Sequence, residues 1–124
     1  MVFRNKFYFV ESSVRGDGSA SYLIRLNADH GIFRAHFPGD PVTPGVCILQ
    51  MGLELLSDAV GEKVELSRAK TVKFLHILRP DDGLVEVRIS RMEKDGGALT
   101  ASIDFLRKDL QLAKMTLVCR ITVK

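Results

Sequence analysis

The sequence predicts a single α+β domain in which an antiparallel sheet is wrapped around one long central helix. Three observations lead to this prediction: a hairpin-like N-terminal segment, one strongly apolar helix, and alternating apolar and polar residues throughout the second half. The chain has 124 residues. A domain of this size buries roughly two thirds of the surface that its unfolded chain exposes, which is enough for one core. We therefore expect one domain over residues 1–124.

Residues 6–26 form the predicted hairpin. Two apolar-rich runs, FYFVESSV and ASYLIRL, flank the glycine-bearing segment RGDGS. The next stretch, from Asn27 to Thr43, contains several glycines and prolines and cannot form a long regular element. Long loops in compact domains usually have a functional role.

The central helix is predicted to begin near Pro44 and to end at Gly61, because proline suits a first helical turn and glycine suits a helix end. The segment VCILQMGLELLSDAV is apolar around nearly its whole circumference, which predicts that the rest of the protein surrounds it. Its polar residues form one stripe at helical spacing: Gln50, Glu54, Ser57 and Asp58.

The second half predicts four antiparallel strands, over residues 64–78, 84–92, 101–105 and 115–123. Such a sheet needs a cover for its apolar face, and the apolar helix provides one. A sheet curled around a single helix is the hot-dog fold. The remaining edge strands carry alternating apolar residues, so we expect a homodimer in which two sheets pair edge to edge.

Composition excludes several classes of function. Hydrophobic content of 46% and charged content of 27% are typical of soluble globular proteins. The net charge of +3 is spread along the chain, which argues against a nucleic-acid partner. No run is long enough to span a membrane and the N-terminus is unlike a signal peptide, so a cytoplasmic location is expected. Cys47 and Cys119 lack zinc-site spacing and are expected to be buried thiols; no metal or cofactor is expected.

Residues 36–46, HFPGDPVTPGV, resemble the signature HFPGxPxxPGV of the bacterial (3R)-hydroxyacyl-acyl carrier protein dehydratases of fatty-acid synthesis. Residues 72–84, VKFLHILRPDDGL, are similar to a strand and turn of that family, and Phe33 matches a family aromatic residue. The resemblance implies the hot-dog fold and a catalytic role for His36. The family carries a second catalytic residue, a helix carboxylate contributed across the dimer interface, at the position that is Gln50 here.

Dehydration of a 3-hydroxyacyl thioester requires removal of an α-proton and departure of hydroxide as water. A neutral His36 suits the first step as general base. The backbone N–H groups of Gly45 and Val46, at the start of the helix, are the candidate oxyanion donors. His30 and His76 are expected to have structural roles. Several other side chains are expected to contact the substrate or to line an acyl tunnel: Phe37, Leu49, Leu53, Glu54 and Leu56.

The amide at Gln50 leaves three interpretations open, because it has no acidic proton but still forms hydrogen bonds. In the first, the protein is a slow dehydratase in which His36 moves the proton and Gln50 orients the hydroxyl. In the second, Glu54, one helical turn further, supplies the carboxylate for dehydration. In the third, dehydration is lost: the chain is either an acyl-thioester hydrolase in which Glu54 activates water, or a non-catalytic acyl-binding subunit of an active hot-dog partner.

The predicted ligand is a thioester carried by acyl carrier protein or by coenzyme A. A carrier protein is acidic, so exposed basic residues are candidate contacts. These candidates are Arg34, Lys70, Lys73 and Arg79. No membrane partner is expected.

Overall fold

The computed structural model describes residues 2–35, 39–81 and 83–122. Within these ranges, six strands form one antiparallel sheet, and a long helix packs against it. The predicted α+β class and hot-dog architecture are confirmed. The elements are β1 (Tyr8–Gly16), β2 (Ser19–Leu26), α1 (Gly31–Ala35), α2 (Gly45–Val60), β3 (Lys63–Phe74), β4 (Val85–Asp95), β5 (Ala98–Arg107) and β6 (Leu110–Thr122).

The spatial order of the strands is β1-β2-β4-β5-β6-β3, so β3 lies at an edge beside β6. The predicted strand over residues 64–78 is too long, because β3 ends at Phe74. The following residues leave the sheet toward the loop that precedes α2. There the backbone carbonyl of Leu78 accepts a hydrogen bond of 2.8 Å from the N–H of Thr43.

One face of α2 forms the core with the sheet. Its buried residues are Cys47, Ile48, Met51, Gly52, Leu55 and Leu56. The opposite face is only partly covered: Leu49 and Leu53 are half-buried, and Val46 is 73% exposed. Among the described residues, the expectation that the chain surrounds this helix therefore holds for most of its length, and Val46 is the one exposed residue of α2. An apolar strip of α2 remains available to a ligand or a second chain.

The short helix α1 is anchored by an aromatic cluster. Phe33 of α1 is buried and stacks on Phe7 with ring centroids 5.0 Å apart. The ring of His30 stands edge-on to Phe7 at 5.2 Å, and its Nδ1 accepts a hydrogen bond from the N–H of Ile32 at 3.1 Å. These contacts support the structural role expected for His30.

Both cysteines are buried and free. Burial raises the pKa of the Cys119 thiol to about 11, so this residue stays protonated at neutral pH. Burial also raises the pKa of Cys47. No helix in the described ranges is long and apolar enough to cross a membrane.

Candidate active site

The motif residues His36, Phe37 and Pro38 lie outside the described residues. The roles assigned to His36 and Phe37 therefore stay predictions. The described part of the motif starts at Gly39, whose φ of 91° lies in the left-handed region that favours glycine. From there the chain leads directly into α2.

The start of α2 offers backbone N–H groups. Pro44 is extended, with φ −60° and ψ 145°, and supplies no side-chain cap. Its carbonyl accepts hydrogen bonds from the N–H groups of Cys47 and Ile48 at 3.0 and 3.2 Å. The N–H groups of Gly45 and Val46 lie in the first turn, where no carbonyl of the helix itself is in position to accept from them. They lie at the positive end of the helix dipole, where an oxyanion is stabilised.

Gly45 also lets an aromatic ring approach the helix start. A Cβ atom at this position would lie 2.7 Å from Cε2 of Phe74, closer than van der Waals contact allows. The Phe74 side chain is half exposed. The Phe74 ring therefore lies next to Gly45, whose backbone N–H is a predicted oxyanion donor.

The two segments that carry the family resemblance are fastened together. The guanidinium of Arg79 donates to Asp40 through Nε at 3.0 Å and through a terminal nitrogen at 3.4 Å. This contact holds the pKa of Asp40 below its usual value. Arg79, a predicted carrier-protein contact, is thus engaged within the chain. A cavity of about 270 Å³ lies between the segments, lined by Val42, Thr43, Gly45, Ile48 and residues 74–78.

Gln50 and Glu54 form a hydrogen-bonded pair on the polar stripe of α2. Nε2 of Gln50 donates to Oε2 of Glu54 at 2.9 Å. An ionised carboxylate only accepts hydrogen bonds, so the NH₂ end of the amide must face Glu54. The carbonyl oxygen of Gln50 is consequently directed to the other side of the amide.

Glu54 has three further donors, all from residues 2–8, which we call the N-terminal segment. The backbone N–H groups of Phe3 and Arg4 lie 2.7 and 2.9 Å from its oxygens, and the hydroxyl of Tyr8 donates at 3.0 Å. With Gln50, four donors engage this carboxylate. That arrangement argues against both roles predicted for Glu54, as a substrate contact and as a base that activates water.

Asp58, one turn further along α2, also binds residues that lie outside the helix. Its carboxylate accepts hydrogen bonds from Tyr22 at 2.7 Å, Arg4 at 3.0 Å and Arg15 at 2.9 Å. Burial opposes ionisation, but the hydrogen bonds from Tyr22 and Arg4 and the nearby positive charges outweigh it and hold the pKa of Asp58 below its usual value. Burial, together with the neighbouring carboxylates, raises the pKa of Tyr8 and of Tyr22.

An apolar cavity of about 270 Å³ lies beside Gln50, on the partly covered face of α2. Leu49 and Leu53 line it, in keeping with their predicted position on a tunnel wall. Leu56 is fully buried against the sheet and belongs to the core instead. The lining residues are Phe3, Ile32, Val46, Cys47, Leu49, Gln50 and Leu53. A wider groove of about 510 Å³ runs from Gln50 along Glu54 and Ser57 to β3.

Sequence reasoning missed the N-terminal segment as part of this site. Phe3 and Arg4 reach Glu54 across 51 and 50 residues of sequence, and such long-range hydrogen bonds leave no local pattern. The available signal was the polar stripe of α2 itself. Four polar residues on an otherwise apolar helix need partners when the helix lies inside a domain.

Two solved structures show which fold this chain shares. The dehydratase heterocomplex ApeI:P from Xenorhabdus doucetiae aligns with a TM-score of 0.72 and 22% identity, over 90% of this chain and 97% of that one. A hypothetical thioesterase protein from Streptococcus pneumoniae, solved with coenzyme A, aligns with a TM-score of 0.68 and 11% identity, over 99% and 94%. At these identities, the two structures show that the fold is shared.

Sequence comparison identifies the family. The 3-hydroxyacyl-acyl-carrier-protein dehydratase FabZ of Ligilactobacillus salivarius is 32% identical over 97 residues, which cover 71% of this chain and 68% of that protein. The model of the ApeI-like family, described as ApeI dehydratase, matches residues 12–109. This match begins within β1, includes β2, the motif, α2 and β3 to β5, and ends just before β6. The chain belongs to the ApeI-like dehydratase family.

Proposed function

We propose that the protein dehydrates 3-hydroxyacyl thioesters, with His36 as the base and Gln50 in place of the usual helix carboxylate. The observation that carries this proposal is the position of Gln50. It lies in the wall of an apolar cavity, on the helix whose N-terminus ends the HFPGDPVTPGV motif. An apolar cavity with one polar group suits an acyl chain that bears a hydroxyl.

His36 removes the α-proton, and the N–H groups of Gly45 and Val46 stabilise the negative charge that develops on the thioester oxygen. The carbonyl oxygen of Gln50 accepts a hydrogen bond from the 3-hydroxyl and fixes its direction. Because an amide has no acidic proton, the proton that His36 gained is the one returned to the departing hydroxide. The C–O bond then breaks, water leaves, and His36 is neutral again.

The active form that we propose is a homodimer joined through β3. This strand is a sheet edge, and large apolar side chains are exposed on it and just after it: Leu66, Phe74, Leu75 and Ile77. The opposite edge, β1, exposes one large apolar residue, Val14. Unpaired edges with apolar side chains are covered by partners in stable proteins.

The substrate that we propose arrives on an acidic carrier protein in the cytoplasm, or as a coenzyme A thioester. Arg34, Lys70 and Lys73 are exposed and contribute positive charge near the motif and along β3. Charge complementarity of this kind accelerates the encounter with an acidic partner.

The direct test is dehydration of 3-hydroxyacyl pantetheine thioesters, followed by absorbance of the conjugated enoyl product. We expect turnover by the natural sequence and a loss of about 10²-fold or more in His36→Ala, the usual value of a positioned base. Equal rates for the two proteins would refute the proposal. A thiol-reactive dye in the same assay reports hydrolysis, and thiol release without enoyl product would identify a thioesterase.

A second candidate function is an acyl-binding subunit of a heteromeric dehydratase. Two observations favour it: the amide at Gln50, and the likeness to a dehydratase described as a heterocomplex. It predicts no turnover by the protein alone, together with co-purification of a second hot-dog chain that has both a histidine and a helix carboxylate. Activity of the isolated protein would exclude this candidate.

A further inference from the structure

Phe3 is part of the wall of the apolar cavity beside Gln50. Its side chain is 6% exposed and lines the cavity opposite α2, together with Ile32 of α1. Behind it, the ring of Phe7 lies 4.8 Å away between centroids. The ring of Phe3 is thus supported on its far side by the aromatic cluster.

The backbone of Phe3 is fixed as firmly as its ring. Its N–H donates to Glu54 at 2.7 Å, and the next N–H, of Arg4, donates to the same carboxylate at 2.9 Å. The guanidinium of Arg4 continues to Asp58 at 3.0 Å. Charge-assisted hydrogen bonds of this kind are stronger than neutral ones, so the wall does not yield easily to a ligand.

We propose that Phe3 is a specificity-determining residue, which sets the longest acyl chain that the site accepts. This inference rests on the proposed function for the identity of the ligand, and it names the position at which the chain must stop. The cavity walls are apolar apart from Gln50, as an alkyl chain requires. Because a close-packed aromatic wall resists compression, each methylene beyond it must find space elsewhere or stay in water.

The test measures binding rather than turnover. A graded series of 2-oxoalkyl pantetheine thioethers, in which a methylene between sulfur and carbonyl prevents hydrolysis, is titrated by calorimetry against the natural sequence, Phe3→Ala, Phe3→Leu and Phe3→Trp. We expect Phe3→Ala and Phe3→Leu to bind long chains more tightly, by about tenfold for each additional methylene that fits. Phe3→Trp should move the limit toward shorter chains.

Phe9→Ala is the matched control. Phe9 lies on β1, where its ring contacts the guanidinium of Arg25 at 4.9 Å, and it does not line the cavity. This variant should keep the natural dependence on chain length. Thermal unfolding verifies that each variant is folded. If Phe3→Ala is not folded, Phe3→Leu and Phe3→Trp still change the cavity in opposite directions.

The inference is overturned if Phe3→Leu and Phe3→Trp keep the chain-length limit of the natural sequence, whatever the dehydratase activity. A limit that moves with residue 3 in a protein that does not dehydrate would support Phe3 as the wall and refute only the catalytic proposal. Dehydration by a protein whose chain-length limit does not change with residue 3 would support the catalytic proposal and refute the role of Phe3.

Discussion

Glu54 determines what Gln50 is able to do. The four hydrogen bonds that Glu54 accepts hold the N-terminal segment on α2 and orient the amide of Gln50 at the same time. A carboxylate in that setting has few lone pairs left for a substrate. In the proposed mechanism Gln50 therefore offers an acceptor where the family resemblance implies an acid, and one helical turn separates Glu54 from that position.

Asp58 should make the free energy of unfolding decrease at acidic pH. Its pKa is lowered in the folded state, so its ionised form stabilises the fold at neutral pH, and this contribution is lost as the pH falls through the lowered pKa. We expect Asp58→Asn to reduce the free energy of unfolding by about 1 kcal/mol at neutral pH, a value reduced by partial exposure. Urea unfolding at several pH values measures the difference.

The difference between the natural sequence and Asp58→Asn should shrink below about pH 4, where free aspartate takes up its proton. Asp29→Asn is the control, since Asp29 is exposed outside this network. A difference that stays constant from neutral to acidic pH would show that Asp58 contributes shape rather than charge.

At the level of elements, α2 was the most predictable part of the fold. Pro44 and Gly61 mark its ends as expected, and Gly61 adopts the left-handed conformation with φ 75°. The edge position of β3 was not predictable, because strand order depends on pairing between distant segments. The length of β3 was overestimated for a related reason. Its apolar pattern continues after Phe74, but the regular pairing with β6 ends there. The N–H groups of Leu75 and His76 both approach the carbonyl of Leu112, and Leu78 already bonds to Thr43 in the loop before α2.

The β3 edge should carry the subunit interface. Leu66→Glu places a charge on this edge, where pairing would have to desolvate it, and we expect the dimer to dissociate at concentrations at which the natural sequence stays associated. Val14→Glu makes the same change on β1 and should leave the dimer intact. Sedimentation velocity distinguishes the two. A monomeric natural protein, or dissociation by Val14→Glu alone, would contradict the proposed interface.

Across the whole molecule, the fold and the family were accessible from the sequence because one specific motif and one apolar helix carry both. The cavity beside Gln50 was not, since its walls come from the N-terminal segment, α1 and α2. The partly covered face of α2 is where the predicted helix and the cavity meet. It leaves Val46, Leu49 and Leu53 for a substrate or a second chain, and Gln50 lies in the same wall.

The proposed mechanism requires that this site keep the geometry of a dehydratase and lack only the acidic proton at residue 50. Gln50→Glu alone would place two carboxylates side by side, which raises the pKa of one of them and costs stability. The double variant Gln50→Glu/Glu54→Gln avoids the second charge and keeps a hydrogen bond between residues 50 and 54. The amide oxygen at residue 54 still accepts from Arg4 and Tyr8, but its NH₂ group replaces the acceptor of the Phe3 N–H, so thermal unfolding must show that the variant is folded. Glu54→Gln serves as its control.

The deciding measurement is kcat/KM for dehydration of 3-hydroxyacyl pantetheine thioesters by the natural sequence, Gln50→Glu/Glu54→Gln and Glu54→Gln. A restored acid should raise the rate of the double variant by about 10²-fold or more, with no gain in Glu54→Gln and with the gain abolished by adding His36→Ala. A folded double variant no faster than the natural sequence would contradict the claim.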